Sequence, residues 1–396
     1  MNIVDVDHIE LYVGDAIAAA HALRTAYGFR VYGHGGPDTG LAGQRTIVLG
    51  QGDVRVMLTS GLHHDHPASQ FVAKHGDGVA VMAFRTDNAE ADYAEAVAAG
   101  GSGLREPRTF QAGGARVVTA EVAGFGDVIY RLVERDGASA DGRSASSRVE
   151  SDGRSASSRV ESDGRSASSR VEDFLPGAIE MEPGADAGAD DDLLRFIDHA
   201  AVCVPAGELD PTVAFHERVF GFAVTFQEYI EIGEQGVRSK VVQSPSGGVT
   251  FTILEPDISR QAGQIDDFLA WHDGAGVQHI AFLTKDIVRA VRTLTGRGVE
   301  FAVTPSSYYD MLGARLGATD IEVEAMRPLG ILVDRDHWGQ MYQIFAKSTH
   351  IRRTYFLELI DRHGARTFGT SNIPALYAAK ERELAEIRDT AGTVRA

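Results

Sequence analysis

Cysteine is nearly absent from this chain of 396 residues. Cys203 stands alone, so no internal disulfide and no thiolate zinc cluster can form, which fits a reducing cytoplasm. It lies in an apolar alternation and reads as a small core residue in preference to a nucleophile. Basic residues are outnumbered, 38 Lys and Arg against 56 Asp and Glu for a formal charge of -18, which argues against a nucleic-acid partner, whose phosphates need a basic face. No segment approaches about 18 uninterrupted apolar residues, so no membrane span is expected. The first residues carry Asp5 and Asp7 where a secretory signal would place Lys or Arg, so export is not expected and the cytoplasm is. What is present is ordinary globular composition, 43% hydrophobic, in a chain long enough for two or three domains.

Three strand-like stretches contain polar residues that a bare core would not use. GAGVQHIAF (Gly274 to Phe282) places Gln278 and His279 in an apolar run, FIDHAAVCV (Phe196 to Val204) carries His199, and YFLELI (Tyr355 to Ile360) carries Glu358. Taken singly, each has a bland reading as a hydrogen-bonded core polar group. Together, two histidines and one carboxylate on three strands form the set that suits non-haem Fe(II) and leaves coordination positions open for substrate and oxygen. The spacings, 80 residues from His199 to His279 and 79 from there to Glu358, match no local motif. Only a fold that converges the strands can make a site of them.

The chain also repeats itself, and an internal repeat is a strong organisational signal. In both halves, helices and strands alternate as β-α-β-β-β units. Val6-Asp7-His8 and Tyr27-Gly28-Phe29 match Ile197-Asp198-His199 and Phe220-Gly221-Phe222, GDGVAVMAF (Gly76 to Phe84) matches GAGVQHIAF, and Glu134-Arg135-Asp136-Gly137 matches Asp361-Arg362-His363-Gly364. This alignment sets Ala80 and Val81 against Gln278 and His279, and Arg131 against Glu358. The first half therefore lacks two of the three ligands, and His8 is expected to be structural. The domains expected are 1–137, a metal-free N-terminal unit, and 196–396, a C-terminal unit ending in a helix from Ala375 to about Arg388.

Between them, residues 138–195 read as a linker. DGRSASSRVES begins at Asp141, repeats at Asp152 and returns at Asp163; one Val per repeat cannot offset the entropy of ordering it, so disorder is expected over 141–172. A binding or phosphorylation tail is the other reading of its Arg and Ser content. Phe174-Leu175-Pro176-Gly177 reads as an anchored turn, and Glu180 to Asp192, acidic with no base, as a solvated segment.

Further motifs are FLPG at Phe174, TPSSYYDML at Thr304, QIF at Gln343, FLELIDRHG at Phe356 and FGTSNI at Phe368. With GAGVQHIA, they make the chain resemble the 4-hydroxyphenylpyruvate dioxygenase and 4-hydroxymandelate synthase group of the vicinal-oxygen-chelate superfamily. The resemblance covers nearly everything outside the repeats. It implies an α+β fold of two tandem halves, each of paired β-α-β-β-β modules, the C-terminal half an open barrel enclosing Fe(II) held by His199, His279 and Glu358. It implies 4-hydroxyphenylpyruvate and O2 as substrates, the 2-oxo acid offering two hard oxygens to the metal. It also implies that Ser239, Thr252, Gln264, Gln278, Gln343 and Asn372 line the substrate site as polar positions and Phe345, Phe356 and Phe368 as aromatic walls. Core packing remains the other reading of the three Phe. The dioxygenases end the FGTSN stretch with Asn-Phe, where this chain has Asn372-Ile373, and the Pro and Asn they carry before their Glu-Pro are Thr252 and Leu254 here. These departures point to the synthase, which hydroxylates the benzylic carbon to give 4-hydroxymandelate and CO2, over the dioxygenase, which forms homogentisate. A non-catalytic ligand-binding protein on the same fold is the reading from another class, and the intact triad counts against it. The oligomeric state stays open, a homo-oligomer included.

Overall fold

The computed structural model describes residues 1–135, 174–181, 192–369, 371, 372 and 375. The repeats at 141–172, most of the acidic segment, Ile373 and nearly all of the expected C-terminal helix lie outside the described residues.

Two curled sheets carry the fold. The first has the strand order β6-β7-β8-β5-β1-β4-β3-β2-β9 and the second β11-β12-β13-β10-β14-β17-β16-β15. In the first, β1 (Ile3–Tyr12) lies between β4 (Val54–Gly61), to which it is parallel, and β5 (Gly78–Thr86), to which it is antiparallel; β5 runs parallel to β8 (Ile129–Arg135). In the second, β10 (Ile197–Cys203) has the same relation to β13 (Thr250–Pro256) and β14 (Gly276–Leu283), and β14 to β17 (Phe356–His363). The outer strands correspond too: β2 (Arg30–Gly35) and β3 (Gln44–Gln51) with β11 (Ala223–Ile232) and β12 (Gln235–Gln243), and β6 (Gly103–Ala112) and β7 (Ala115–Ala123) with β15 (Leu332–Arg335) and β16 (Gln340–Phe345). β11 and β15 are not paired to each other, so the second half is an open barrel.

The register bears out the alignment of the two halves. Ala83 pairs with His8 on one side and Arg131 on the other; Ala281 pairs with His199 and Glu358. Local chemistry repeats as well. Asn88 and Asp286 cap the helices after β5 and β14 by accepting the N–H of Ala91 and Arg289, the use expected of Asn and Asp at a helix start. Gly28 and Gly221 each close the helix after the first strand of their half at φ +80° and +67°, backbone angles that favour glycine.

One apolar core runs through both halves. Where they meet, the Tyr130 ring stacks on Phe251 at 5.8 Å, and the Tyr130 hydroxyl shares a 2.6 Å hydrogen bond with Nε2 of His216. Cys203 is fully buried among Ile230, Val237, Ile265 and Phe268, and burial pushes its thiol well above the ordinary range, so the core reading holds.

The structure corrects two details. β6 was not legible, because most of its residues are exposed and it carries no apolar stripe. The described residues of the acidic segment are tied to the fold: Glu180 and Met181 form β9 against β2, and Asp192 takes both Nη atoms of Arg30 at 2.8 and 3.2 Å while accepting the N–H of Gly52. Phe174, Leu175, Ala178 and Ile179 pack with Val48, Met57, Ala83, Val117 and Val133, so the anchored turn closes the inner face of the first half.

Candidate metal centre

The inner face of the second sheet gathers His199 from β10, His279 from β14 and Glu358 from β17, and one ligand atom from each lies within 4.8 Å of the others. Among the described residues no other group of three His, Cys, Asp or Glu does so. Two β-bulges make this possible. On β10 the pairing steps from Ile197 opposite Phe282 to His199 opposite Ala281, and on β14 from Val277 opposite Val202 to His279 opposite Ala201. Asp198 and Gln278 are the extra residues. A bulge turns two consecutive side chains to one face where a regular strand would alternate them, so Asp198 joins His199, and Gln278 joins His279, on the inner side. The first half has the same two bulges, at Asp7 and Ala80.

Each extra residue holds its neighbour's ring. His199 Nδ1–H donates to Asp198 Oδ2 at 2.9 Å, and Arg362 clamps that carboxylate through Nε at 2.7 Å and Nη2 at 2.8 Å. His279 Nδ1–H reaches Gln278 Oε1 at 3.3 Å. Both Nε2 atoms then face Glu358 Oε2, at 3.4 Å from His199 and 3.3 Å from His279. Two ligands about 2.1 Å from one ion at right angles would stand roughly 3 Å apart, so the spacing fits a shared ion. Tying down the second ring nitrogen is the usual support of a ligating imidazole.

The electrostatics ask for a cation. Burial works against the charged form of His199, but hydrogen bonds to Asp198 and Glu358 outweigh it and hold this ring at about 9. Burial lowers His279 in spite of Glu358. For Glu358 burial works toward the neutral acid, yet both imidazoles keep it below the ordinary carboxylate range. Burial thus works against charge on all three groups, and it is their mutual attraction that opposes it; a metal ion placed between them would supply the positive charge that the carboxylate needs. Two imidazoles and one carboxylate, all buried, are the donor set of a mononuclear site with open positions.

Half-buried aromatics surround the trio. Phe356 stacks on the His279 ring at 5.0 Å and 25°, Phe345 meets it edge-on at 5.7 Å, and Phe368 meets His199 edge-on at 5.0 Å. By register, Ser239 and Thr252 lie on the inner face as well, since Ser239 pairs with Leu254, Thr252 with Val241 and Ala201, and Ala201 with His279. Both hydroxyls are buried with no protein partner. Gln343 is buried against Gly369, where any Cβ would collide with its amide. Asn372 Oδ1 accepts from Tyr308 Oη at 2.6 Å and Arg315 Nη2 at 3.1 Å, while its buried Nδ2 has no partner. Gln264 stands apart, exposed at the first position of the helix Gln264–His272. Ile373 is outside the described residues.

Sequence reasoning missed Asp198, Arg362, Tyr308 and Arg315 as supports. The signal for the first two was in view, since Asp-His and the Arg of the Asp361-Arg362-His363-Gly364 motif recur in both halves. Tyr308 and Arg315 belong to the short helices Ser306–Asp310 and Leu312–Leu316, whose target is remote in sequence.

Comparison with known proteins agrees with this architecture. Residues 196–321 match the Glyoxalase/Bleomycin resistance protein/Dioxygenase superfamily, and residues 39–142 match the N-terminal unit of hydroxyphenylpyruvate dioxygenase. The 4-hydroxyphenylpyruvate dioxygenases of Yarrowia lipolytica and Aspergillus fumigatus are each 30% identical, over 96% of this chain and 92% of theirs. A triple mutant of 4-hydroxymandelate synthase from Streptomyces coelicolor superposes with a TM-score of 0.80 at 38% identity, over 97% of this chain and 99% of that one. The chain belongs to the 4-hydroxyphenylpyruvate dioxygenase family, and its tandem fold is that of the vicinal-oxygen-chelate superfamily. Among the described residues no helix is long and apolar enough to cross a membrane.

Proposed function

We propose that the chain is a non-haem Fe(II) enzyme that converts 4-hydroxyphenylpyruvate and O2 into 4-hydroxymandelate and CO2. The observation that carries the metal reading is the convergence of His199, His279 and Glu358 on one inner face with both imidazoles tied through Nδ1. Bound there, Fe(II) would supply open positions for the 2-oxo acid and for dioxygen. The protein's part is to bind and orient. One anionic and two neutral donors leave net positive charge on a divalent ion, which favours a carboxylate-bearing substrate. The Phe345, Phe356 and Phe368 rings give an aromatic ring an apolar wall. Ser239, Thr252 and Asn372 offer buried hydrogen-bonding atoms that the protein itself leaves unmatched, and Gln278 and Gln343 supply amides that donate and accept without adding charge. The proposed substrate set keeps Gln264 and Ile373 on the strength of the family resemblance.

The synthase outcome is supported by the 38% identity to the Streptomyces coelicolor structure and by Asn372-Ile373 where the dioxygenases have Asn-Phe. On this proposal a branched aliphatic in place of a ring would reshape the pocket and let the benzylic carbon approach the reacting centre. A preference of about 1.4 kcal/mol between two such approaches already gives a tenfold product ratio. The dioxygenase outcome has in its favour the relatives matched over 96% of this chain. Product analysis by chromatography and mass spectrometry after incubating iron-loaded protein with 4-hydroxyphenylpyruvate and oxygen separates the two. 4-Hydroxymandelate is expected, and homogentisate as the main product would overturn the reading. An Ile373→Phe variant is expected to shift product toward homogentisate; no shift removes Ile373 as the cause. Absence of iron-dependent oxygen uptake would favour a ligand-binding protein.

A further inference from the structure

The first half reproduces the surroundings of the candidate metal centre around a different central charge. His8 occupies the place of His199, and its Nδ1–H donates to Asp7 at 2.6 Å. Arg135 clamps Asp7 through two contacts of 2.7 Å, as Arg362 clamps Asp198. Phe174 meets His8 edge-on at 5.0 Å beneath Arg135, as Phe368 meets His199 beneath Arg362. The supports of a ligating imidazole are all retained. At the position of Glu358, however, stands Arg131.

The Arg131 guanidinium faces three lone-pair groups. Nη1 lies 2.8 Å from Glu10 Oε2, Nη2 lies 2.8 Å from Glu121 Oε1 with Nε at 2.9 Å, and Nη1 donates to His8 Nε2 at 3.2 Å. With Nδ1 protonated toward Asp7, His8 Nε2 carries its lone pair inward, the state a metal ligand needs. Thr59 fixes the other oxygen of Glu10 at 2.6 Å, and Arg105 reaches Glu121 from the rim at 3.5 Å. His8, Glu10 and Glu121 are all at least 95% buried. Two buried carboxylates and an imidazole lone pair converge on one cation, and that cation is covalently part of the chain.

We propose that this cluster is a second, degenerate cation site, in which the guanidinium of Arg131 stands where a divalent ion would. His8, Glu10 and Glu121 are ligands for a divalent ion of the Mn(II), Co(II) or Zn(II) class once that side chain is cut back. Because the guanidinium is larger than a metal ion, it holds the ligand atoms further apart than those of the second-half trio, so they must contract to bind an ion. The inner face is closed by Phe174 and Leu175, so the cation holds β1, β7 and β8 together and offers no room for a substrate.

The experiment is done on the full chain in a Glu358→Ala background, so that it does not depend on the second-half centre. Chelator-treated protein with and without Arg131→Ala is incubated with Mn(II) or Zn(II), desalted, and read by elemental analysis and thermal melting. One additional ion per chain is expected for Arg131→Ala, together with a gain in melting temperature on metal addition that the Arg131 parent lacks. No additional ion overturns the proposal, whatever the native chain binds at Glu358. Arg131→Lys, which keeps the charge, and Arg131→Gln, which removes it, give a second test independent of metal. Lys is expected to melt several degrees higher than Gln, and a Lys variant no more stable than Gln overturns the cation role.

Discussion

Asp198 and His199 are consecutive in the chain yet face the same side of their sheet, and the carboxylate of one holds the imidazole of the other at 2.9 Å. Arg362, from the far side of the site, fixes the carboxylate in turn. The orientation of a proposed metal ligand thus depends on a bulge and an ion pair that lie outside the trio itself.

Asp198→Asn keeps the shape and removes the charge that answers both His199 and Arg362. Iron affinity is expected to fall about 10- to 100-fold, the usual cost of losing such a support. Titration of apoprotein with Fe(II) under anaerobic conditions measures it. Unchanged affinity would show that His199 is oriented by the backbone alone.

Glu358→Ala removes the only anionic member of the trio. Bound iron and turnover are both expected to collapse, by more than the roughly 100-fold upper range for an outer support. Elemental analysis beside an oxygen-uptake assay checks this, and full iron occupancy with retained turnover would falsify the ligand assignment.

His216 offers a test of stability against pH. Burial lowers it from the ordinary 6.5 to about 4, although the Thr212 carbonyl opposes the shift. Between those values the unfolded chain takes up a proton that the folded chain refuses, so the His216 contribution is complete above pH 6.5 and declines as pH falls toward 4. The full span is on the order of 3 kcal/mol. Urea unfolding at pH 7.5 and 5.0 should show a smaller pH-dependent loss in His216→Gln than in the parent, and equal losses would rule His216 out as the source.

The sequence made the duplication visible because helix caps, positive-φ glycines and core alternation are local and had to recur for each half to fold. It also showed which residues were out of place in a core, His199, Gln278, His279 and Glu358, because a polar residue in an apolar strand is conspicuous. It did not show how Gln278 and His279 face the same way. Strand alternation would have put one of them outside, and the bulge that prevents this is a matter of pairing with β10. Glu10 and Glu121, which answer Arg131, were hidden for the same reason: 10 residues separate Glu121 from Arg131 in sequence, and a hairpin register brings them together. Gln264 shows the reverse, a position named by the family resemblance that stands exposed at a helix start.

Ser239 and Thr252 carry a test in which stability and binding should move in opposite directions. Each presents a buried hydroxyl without a protein partner on the face that holds the trio. A buried hydroxyl left unmatched costs the fold roughly 1–3 kcal/mol relative to an apolar group of the same shape. If these oxygens serve only packing, Thr252→Val and Ser239→Ala should leave substrate affinity alone. If they are held in reserve for substrate, the same changes should raise the melting temperature, or leave it level, while weakening 4-hydroxyphenylpyruvate binding by about tenfold, the worth of one hydrogen bond of roughly 1.4 kcal/mol. Thermal melting of the apoprotein paired with anaerobic substrate titration of the iron-loaded protein reads both quantities. A variant that melts lower and binds substrate as tightly as the parent would return both hydroxyls to a structural role.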